Sequence, residues 1–186
     1  MNRIKALSLL VKLGLYFTLL SMCLSLLIGV FHQQHHVVIG GEGGMKAWLG
    51  LEVSGNWQPL ADQLALSGFN EVLILGVIQL APLLVINGLL LRLFSLYQQG
   101  RVFDLANINC FRYLGWTLVG QFLLNIIYPL LVTSTMNSIY ADLTLTRSIT
   151  FGENDIAMLL VGFIIIVIAE VMRQGLMLQS EQELTI

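Results

Sequence analysis

Charge is what this 186-residue chain has least of. Lys, Arg, Asp and Glu together make up 11% of it, where a soluble domain carries about 25%. Apolar residues reach 56% and the mean hydropathy is +0.82, so the chain cannot cover a water-facing surface and belongs in lipid. A net charge of −2 with no run of Lys or Arg excludes direct nucleic-acid binding, which needs a phosphate-tracking stripe. Cysteine is also scarce: Cys23 and Cys110 supply no disulfide framework and read as reduced packing residues. No spaced nucleophile and base, metal box or phosphate loop is present, so neither an enzyme nor a bound cofactor is expected. The absence of an internal repeat weighs against an inverted-repeat transporter.

What is abundant is uninterrupted apolar sequence. A helix needs about 20 apolar residues to cross roughly 30 Å of hydrocarbon, and four stretches qualify: about 6–31, 71–91, 113–135 and 156–172. Arg3 and Lys5 precede the first in the manner of a signal peptide. The stretch runs on to Phe31 without a small-x-small cleavage site, however, and reads as a retained span. Lipid offers backbone groups no water partner, and runs without period-2 alternation exclude a closed barrel. The expectation is an all-α, four-transmembrane-helix bundle of two helical hairpins in a single integral membrane domain.

Seven cations (Arg3, Lys5, Lys12, Arg92, Arg101, Arg112, Arg173) fall on one side of these spans and two (Lys46, Arg147) on the other. The positive-inside rule then puts both termini in the cytoplasm of a bacterial inner membrane. Trp48, Trp57, Phe69, Tyr140 and Phe151 would mark the outer interface, and Phe94, Tyr97, Phe103, Phe111, Tyr113 and Trp116 the inner one. A 39-residue outer loop, His32 to Asn70, opens with a glycine-rich turn, Gly40 to Gly44. Its stretch Trp48 to Trp57 should lie on the membrane surface or form a short ordered cap.

Within the spans, Gly14, Thr18, Ser21, Ser25 and Gly29 share one face of the first helix, a pattern that reads as a packing seam or, alternatively, a conduit lining. Gln121, Asn125 and Tyr128 share a face of the third, with Gln79 and Asn87 of the second as natural partners. That polar face is either interhelical glue or a small binding pocket. Pro82 and Pro129 interrupt their helices, and nearby polar groups could satisfy the freed carbonyls. Lys12 can snorkel to the interface. Glu170 has Arg173 at i+3 for an ion pair, with a ligand or proton role as the alternative. His32, His35 and His36 have helical spacing and, with Glu42, are permissive of a metal if the helix continues; the plain reading is polar residues at a helix exit.

Two segments carry a resemblance. Between the second and third spans stands Gly100-Arg-Val-Phe103-Asp104-Leu-Ala-Asn107, followed by Phe111-Arg112-Tyr-Leu-Gly115; near the C-terminus stand Glu170-Val-Met-Arg173-Gln-Gly175 and then Glu181-Gln-Glu183. With four spans, these resemble the bacterial membrane family known as domain of unknown function 2975, in which Gly-x-x-Phe-x-x-x-Asn opens the third helix. Asp104 stands where Ser or Thr is expected and is an equally good N-cap. The outer loop contributes none of this resemblance. The resemblance implies a membrane-held partner, a small helix-turn-helix DNA-binding regulator, because members are often encoded beside one. The partner-facing residues would be Gly100, Phe103, Asp104, Asn107, Arg112, Glu170, Arg173, Glu181 and Glu183, with the tail past Gly175 a short helix. The competing expectation is a small oligomeric transporter or channel using Gln79, Asn87, Gln121, Asn125 and Tyr128.

Overall fold

The computed structural model describes residues 2–31, 36–39, 45–48, 53, 55–101, 104–140, 144–146 and 152–183. Its elements are α1 (Asn2–Phe31), strands β1 (His36–Ile39) and β2 (Met45–Trp48), α2 (Gln58–Leu66), α3 (Val77–Gln98), α4 (Leu105–Ile139) and α5 (Glu153–Glu183). A 3-10 turn, Gly55–Trp57, leads into α2, and a π turn, Val72–Gly76, leads into α3. The expected class stands: the fold is all-α, with four helices long and apolar enough to cross a membrane. The helices outrun the apolar runs that revealed them, because a helix does not stop where hydrophobicity does. α4 begins eight residues before Tyr113, and α5 continues unbroken through Gly175 to Glu183, so the tail is helical as expected.

The chain divides into two compact units. One comprises Thr18–Ala81 and Leu124–Gly152, and its core draws on the long loop in which a surface segment or a short ordered cap was expected. Trp57, Leu60, Ala61 and Leu64 of the turn and α2 pack with Leu75, Val132 and Leu145, and Leu64 and Leu75 are wholly buried. Trp57, expected at the membrane interface, is therefore a core residue. α2 stops at Gly68, whose φ of +81° suits a residue without Cβ. There the Gly68 N–H donates to Ala65 O and the Phe69 N–H to Leu64 O, both at 3.0 Å, which is the double bond of a Schellman cap. Phe69 then packs back on the same core. Asn70 caps the next helix, accepting from the Leu73 N–H at 3.1 Å.

Two reciprocal amide pairs tie the segment between α4 and α5 into this unit. Gln63 donates to Thr146 Oγ1 at 2.8 Å and accepts from the Thr146 N–H at 2.9 Å. Asn137 exchanges the same two bonds with the backbone of Leu145, both at 3.0 Å. β1 and β2 pair antiparallel, His36 opposite Trp48 and Ile39 opposite Met45. The glycine-rich turn between them, with Glu42, lies outside the described residues, as do His32 and His35. α1 ends at Phe31 and His36 opens a strand, so the helical spacing that a histidine metal site required is not formed.

The other unit comprises Met1–Phe17, Pro82–Leu123 and Glu153–Ile186. α1 meets α3 there through Ser8, whose hydroxyl donates to Phe94 O at 2.7 Å, and through Lys12, whose ammonium donates to Gln98 Oε1 at 3.1 Å. Lys12 thus ends at the last residue of α3. The small-residue stripe on α1 is not the seam it promised to be. Gly14, Thr18 and Ser21 are exposed and only Gly29 is buried, and a Cβ on Gly14 would meet nothing within 4 Å. Cys23 is exposed as well, and so does not pack within the chain, whereas Cys110 is buried beside Leu93 and Leu96.

Candidate functional site

The connector between α3 and α4 is built by three local devices. α3 terminates in a second Schellman cap: the Gly100 N–H donates to Tyr97 O and the Arg101 N–H to Leu96 O, both at 3.0 Å. Gly100 has φ +79°, a conformation costly for any residue with a Cβ. Asp104 then starts α4. Its backbone carbonyl accepts from the N–H groups of Asn107 and Ile108 at 3.0 and 3.1 Å, and its carboxylate faces the N–H groups of Leu105 and Ala106. Arg101 forms an ion pair with the same carboxylate. Asn107, one turn on, is wholly buried. Phe103, expected to anchor this loop, lies outside the described residues.

The Arg101 guanidinium, and after it the backbone donors, hold the Asp104 carboxyl below its ordinary value of 3.8. A depressed folded-state value means that the cap's contribution is complete above the ordinary value. It is lost as pH falls through the lower one. In a pH titration followed by the Leu105 and Ala106 amide resonances, the wild-type inflection is expected below 3.8. Arg101→Gln should move it up towards that value. An unshifted inflection in the variant would remove Arg101 from the cap.

Further along, α4 and α5 cross in backbone contact. A Cβ on Gly115 would lie 2.5 Å from Ile166 Cγ1 and 2.7 Å from Gly162 O, and one on Gly162 would lie 3.0 Å from Gly115 O. Each helix therefore presents a glycine to the other's carbonyl, the close approach by which helices associate in lipid. Gly115 stood in the connector motif, but Gly162 carried no signal, since a lone glycine in a Leu-Ile run names no partner. On α5, the expected i, i+3 pair forms: Arg173 donates to both Glu170 oxygens, at 2.6 and 3.0 Å. Arg112 lies over the ring of its neighbour Tyr113, 5.8 Å from the centroid.

Beside these groups a groove of about 300 Å³ is lined by Ile108 of α4 and by Met172, Gly175, Leu176 and Gln179 of α5. A second, of about 330 Å³, runs along Leu105, Arg173 and Met177 and shares Leu176 and Gln179 with the first. Glu181 is exposed beyond them, and Glu183 is the last residue of α5. Gly100, Asp104, Asn107, Arg112, Glu170, Arg173 and Glu181 thus all belong to one unit. Among the described residues, no group of three or more His, Cys, Asp and Glu could hold a metal ion.

A family model described as "Protein of unknown function (DUF2975)" matches residues 46–186, or 141 of the 186. The chain belongs to the DUF2975 family. No curated protein and no solved structure matches it. The DUF2975 match corrects one expectation, since it takes in the outer loop from Lys46 onward and leaves α1 outside. The loop's inclusion has a physical basis, because Val53, Trp57, Leu60, Ala61 and Leu64 form a core. The signal was there in the sequence: Trp57-Gln-Pro-Leu60 places a proline in the first turn of a helix, followed by apolar residues at helical spacing.

The polar face of α4 is occupied with structural tasks. Pro129 has no N–H, so the carbonyl of Asn125, four residues back, loses its helical donor; the Trp57 indole N–H donates to it at 3.2 Å. The Tyr128 hydroxyl donates to Ile74 O in the π turn at 2.6 Å, and its ring stacks on Trp57 at 5.4 Å. Gln79 and Asn87, the expected partners of this face, each make an interaction, while Asn87 Oδ1 accepts no hydrogen bond among the described residues; Tyr128 donates to the Ile74 carbonyl. Gln121 is half-buried, and its Oε1 accepts no hydrogen bond among the described residues.

Proposed function

We propose that this DUF2975 protein is a membrane-held interaction subunit. It sits in the bacterial inner membrane with both termini in the cytoplasm and binds a cytoplasmic partner there. The observation that carries this reading is the way the two helix ends that flank the α3–α4 connector are built. A C-cap at Gly100, an N-cap at Asp104, the Arg101–Asp104 ion pair and the buried Asn107 fix both helix ends, beside grooves that α4 and α5 leave open. Order costs conformational entropy, and preorganisation of this kind lowers the cost of binding. The family resemblance suggests the partner, a small helix-turn-helix DNA-binding regulator. The protein itself makes no direct nucleic-acid contact and catalyses no reaction.

Less support goes to the transporter reading, because Tyr128 on its polar face already donates to the Ile74 carbonyl, and the Trp57 indole satisfies the carbonyl that Pro129 leaves without a helical donor. The test is purification of the tagged protein from native membranes in mild detergent, with mass spectrometry of what accompanies it. A stoichiometric small DNA-binding protein is expected, lost on truncation after Gly175 and on joint substitution of Phe103, Arg112 and Glu181. Recovery of the protein alone, as a discrete homo-oligomer that passes solute in liposomes, would replace this reading with transport.

A further inference from the structure

Helix length locates the groove beside Leu176 with respect to the membrane. The 31 residues of α5 extend about 46 Å, while the hydrocarbon layer is about 30 Å thick. Twenty residues from Glu153 end at Met172, so on the orientation proposed above the rest of α5 stands in the cytoplasm. The N-terminal turns of α4 lie beside it along the groove. Apolar side chains crowd this projecting end: Leu105 is 57% exposed, Met177 51% and Leu178 62%. A patch of this kind in water marks a surface that something covers.

Charge selects what covers it. From Gln174 to Glu183 the helix has no Lys or Arg and carries Glu181 and Glu183, at the end where the backbone dipole is already negative. The anionic inner leaflet repels such a segment, and helices that lie on membranes carry Lys and Arg on their polar faces. A second copy would bring the same acids against their own kind. A cationic partner with apolar anchors meets both requirements. We propose that the groove lined by Ile108, Met172, Gly175 and Leu176 seats a basic amphipathic helix of a cytoplasmic protein, its apolar residues in the groove and its cations towards the acidic C-terminal end of α5. The proposal rests on the interaction-subunit reading and names the chemistry of the partner's docking segment.

Gly175 provides the test. It lines the groove, and a Cβ there would meet nothing within 4 Å, so a larger side chain fills the groove without a clash. The full chain is placed in phosphatidylcholine nanodiscs. The probe is a fluorescent peptide of about 14 residues with Leu at i, i+3, i+4 and i+7 and Lys elsewhere, the anchor pattern of helix-in-groove recognition. Saturable binding above that of empty nanodiscs is expected, weakened about tenfold by Gly175→Phe and by joint Glu181→Lys and Glu183→Lys. Gly175→Ala should bind as wild type, and a peptide with Glu for every Lys should not bind. Binding no greater than to empty nanodiscs (lipid alone), indifference to Gly175→Phe, or pairing of two chains through the groove would each overturn the proposal. Gly175→Phe is also carried through the co-purification. A regulator retained by that variant but lost on truncation refutes the groove and leaves the interaction reading intact. Peptide seating without any co-purified partner supports the groove and refutes the reading.

Discussion

Gly115→Ala is expected to lower the stability of the folded protein by about 1–3 kcal/mol, the usual cost of forcing a methyl group into a packed contact. The nearest neighbours of the new Cβ would be Ile166 Cγ1 at 2.5 Å and Gly162 O at 2.7 Å. The isoleucine can rotate away, but the carbonyl belongs to the backbone of α5 and yields only if the helices part. Gly162→Ala should cost less, because its closest contacts are 3.0 and 3.1 Å, and leucine at either position should cost more. Gly120→Ala on the same helix and Gly88→Ala on α3 serve as opposite controls. Neither new Cβ meets anything within 4 Å, so each is expected to be neutral or to stabilise by up to about 1 kcal/mol through helix propensity. Unfolding midpoints in a single detergent compare all four. Equal stability of Gly115→Ala and Gly120→Ala would mean that α4 and α5 do not cross at this pair.

The contrast between those glycines also marks how far the sequence could be read. Four spans, their boundaries at Phe31 and Asn70, the Gly100 turn, the Asp104 cap and the Glu170–Arg173 pair were all legible, because each follows from short-range physics: lipid solvation, φ preference, capping and i, i+3 geometry. Which glycine packs was not legible. Gly14, Gly115, Gly120 and Gly162 look alike in sequence, and only the helix opposite distinguishes a crossing from an open face. The small-residue stripe of α1 misled for that reason, since three of its five members face away from the rest of the chain. The long loop before α3 was read only in part. A short ordered cap was one of its two expected forms, but Trp57 was expected at the membrane interface, and Trp57 and Leu64 are among the best-buried side chains described. Long-range pairs such as Gln63 with Thr146, 83 residues apart, leave no local trace. At the candidate site the turn at Gly100 and the cap at Asp104 follow from local rules, but the grooves beside Leu176 depend on the packing of α4 against α5 and could not be anticipated.

The second large effect is expected at Trp57, and it separates packing from hydrogen bonding. Trp57→Ala empties a position 1% exposed in the core of its unit and should cost about 3–5 kcal/mol. Trp57→Phe retains most of the apolar contact and the ring facing Tyr128, and removes the N–H that donates to Asn125 O at 3.2 Å. Hydrogen bonds between membrane helices average about 0.6 kcal/mol and reach about 1.7, so the phenylalanine variant should lose far less than the alanine variant. Pro129 decides whether that smaller loss belongs to the carbonyl. In Pro129→Ala the residue at 129 regains an N–H, which can close the helical bond to Asn125 O, and the indole is no longer needed as donor. Trp57→Phe should then cost less in the Pro129→Ala background than in the wild type, with a coupling of about 0.6–1.7 kcal/mol between the two positions. Two strictly additive losses would mean that Trp57 acts by packing alone. A coupling of the expected size would show that the segment before α2 is hydrogen-bonded to the carbonyl that Pro129 frees in α4. That would explain why a loop residue 68 positions away is buried as deeply as any residue of the spans.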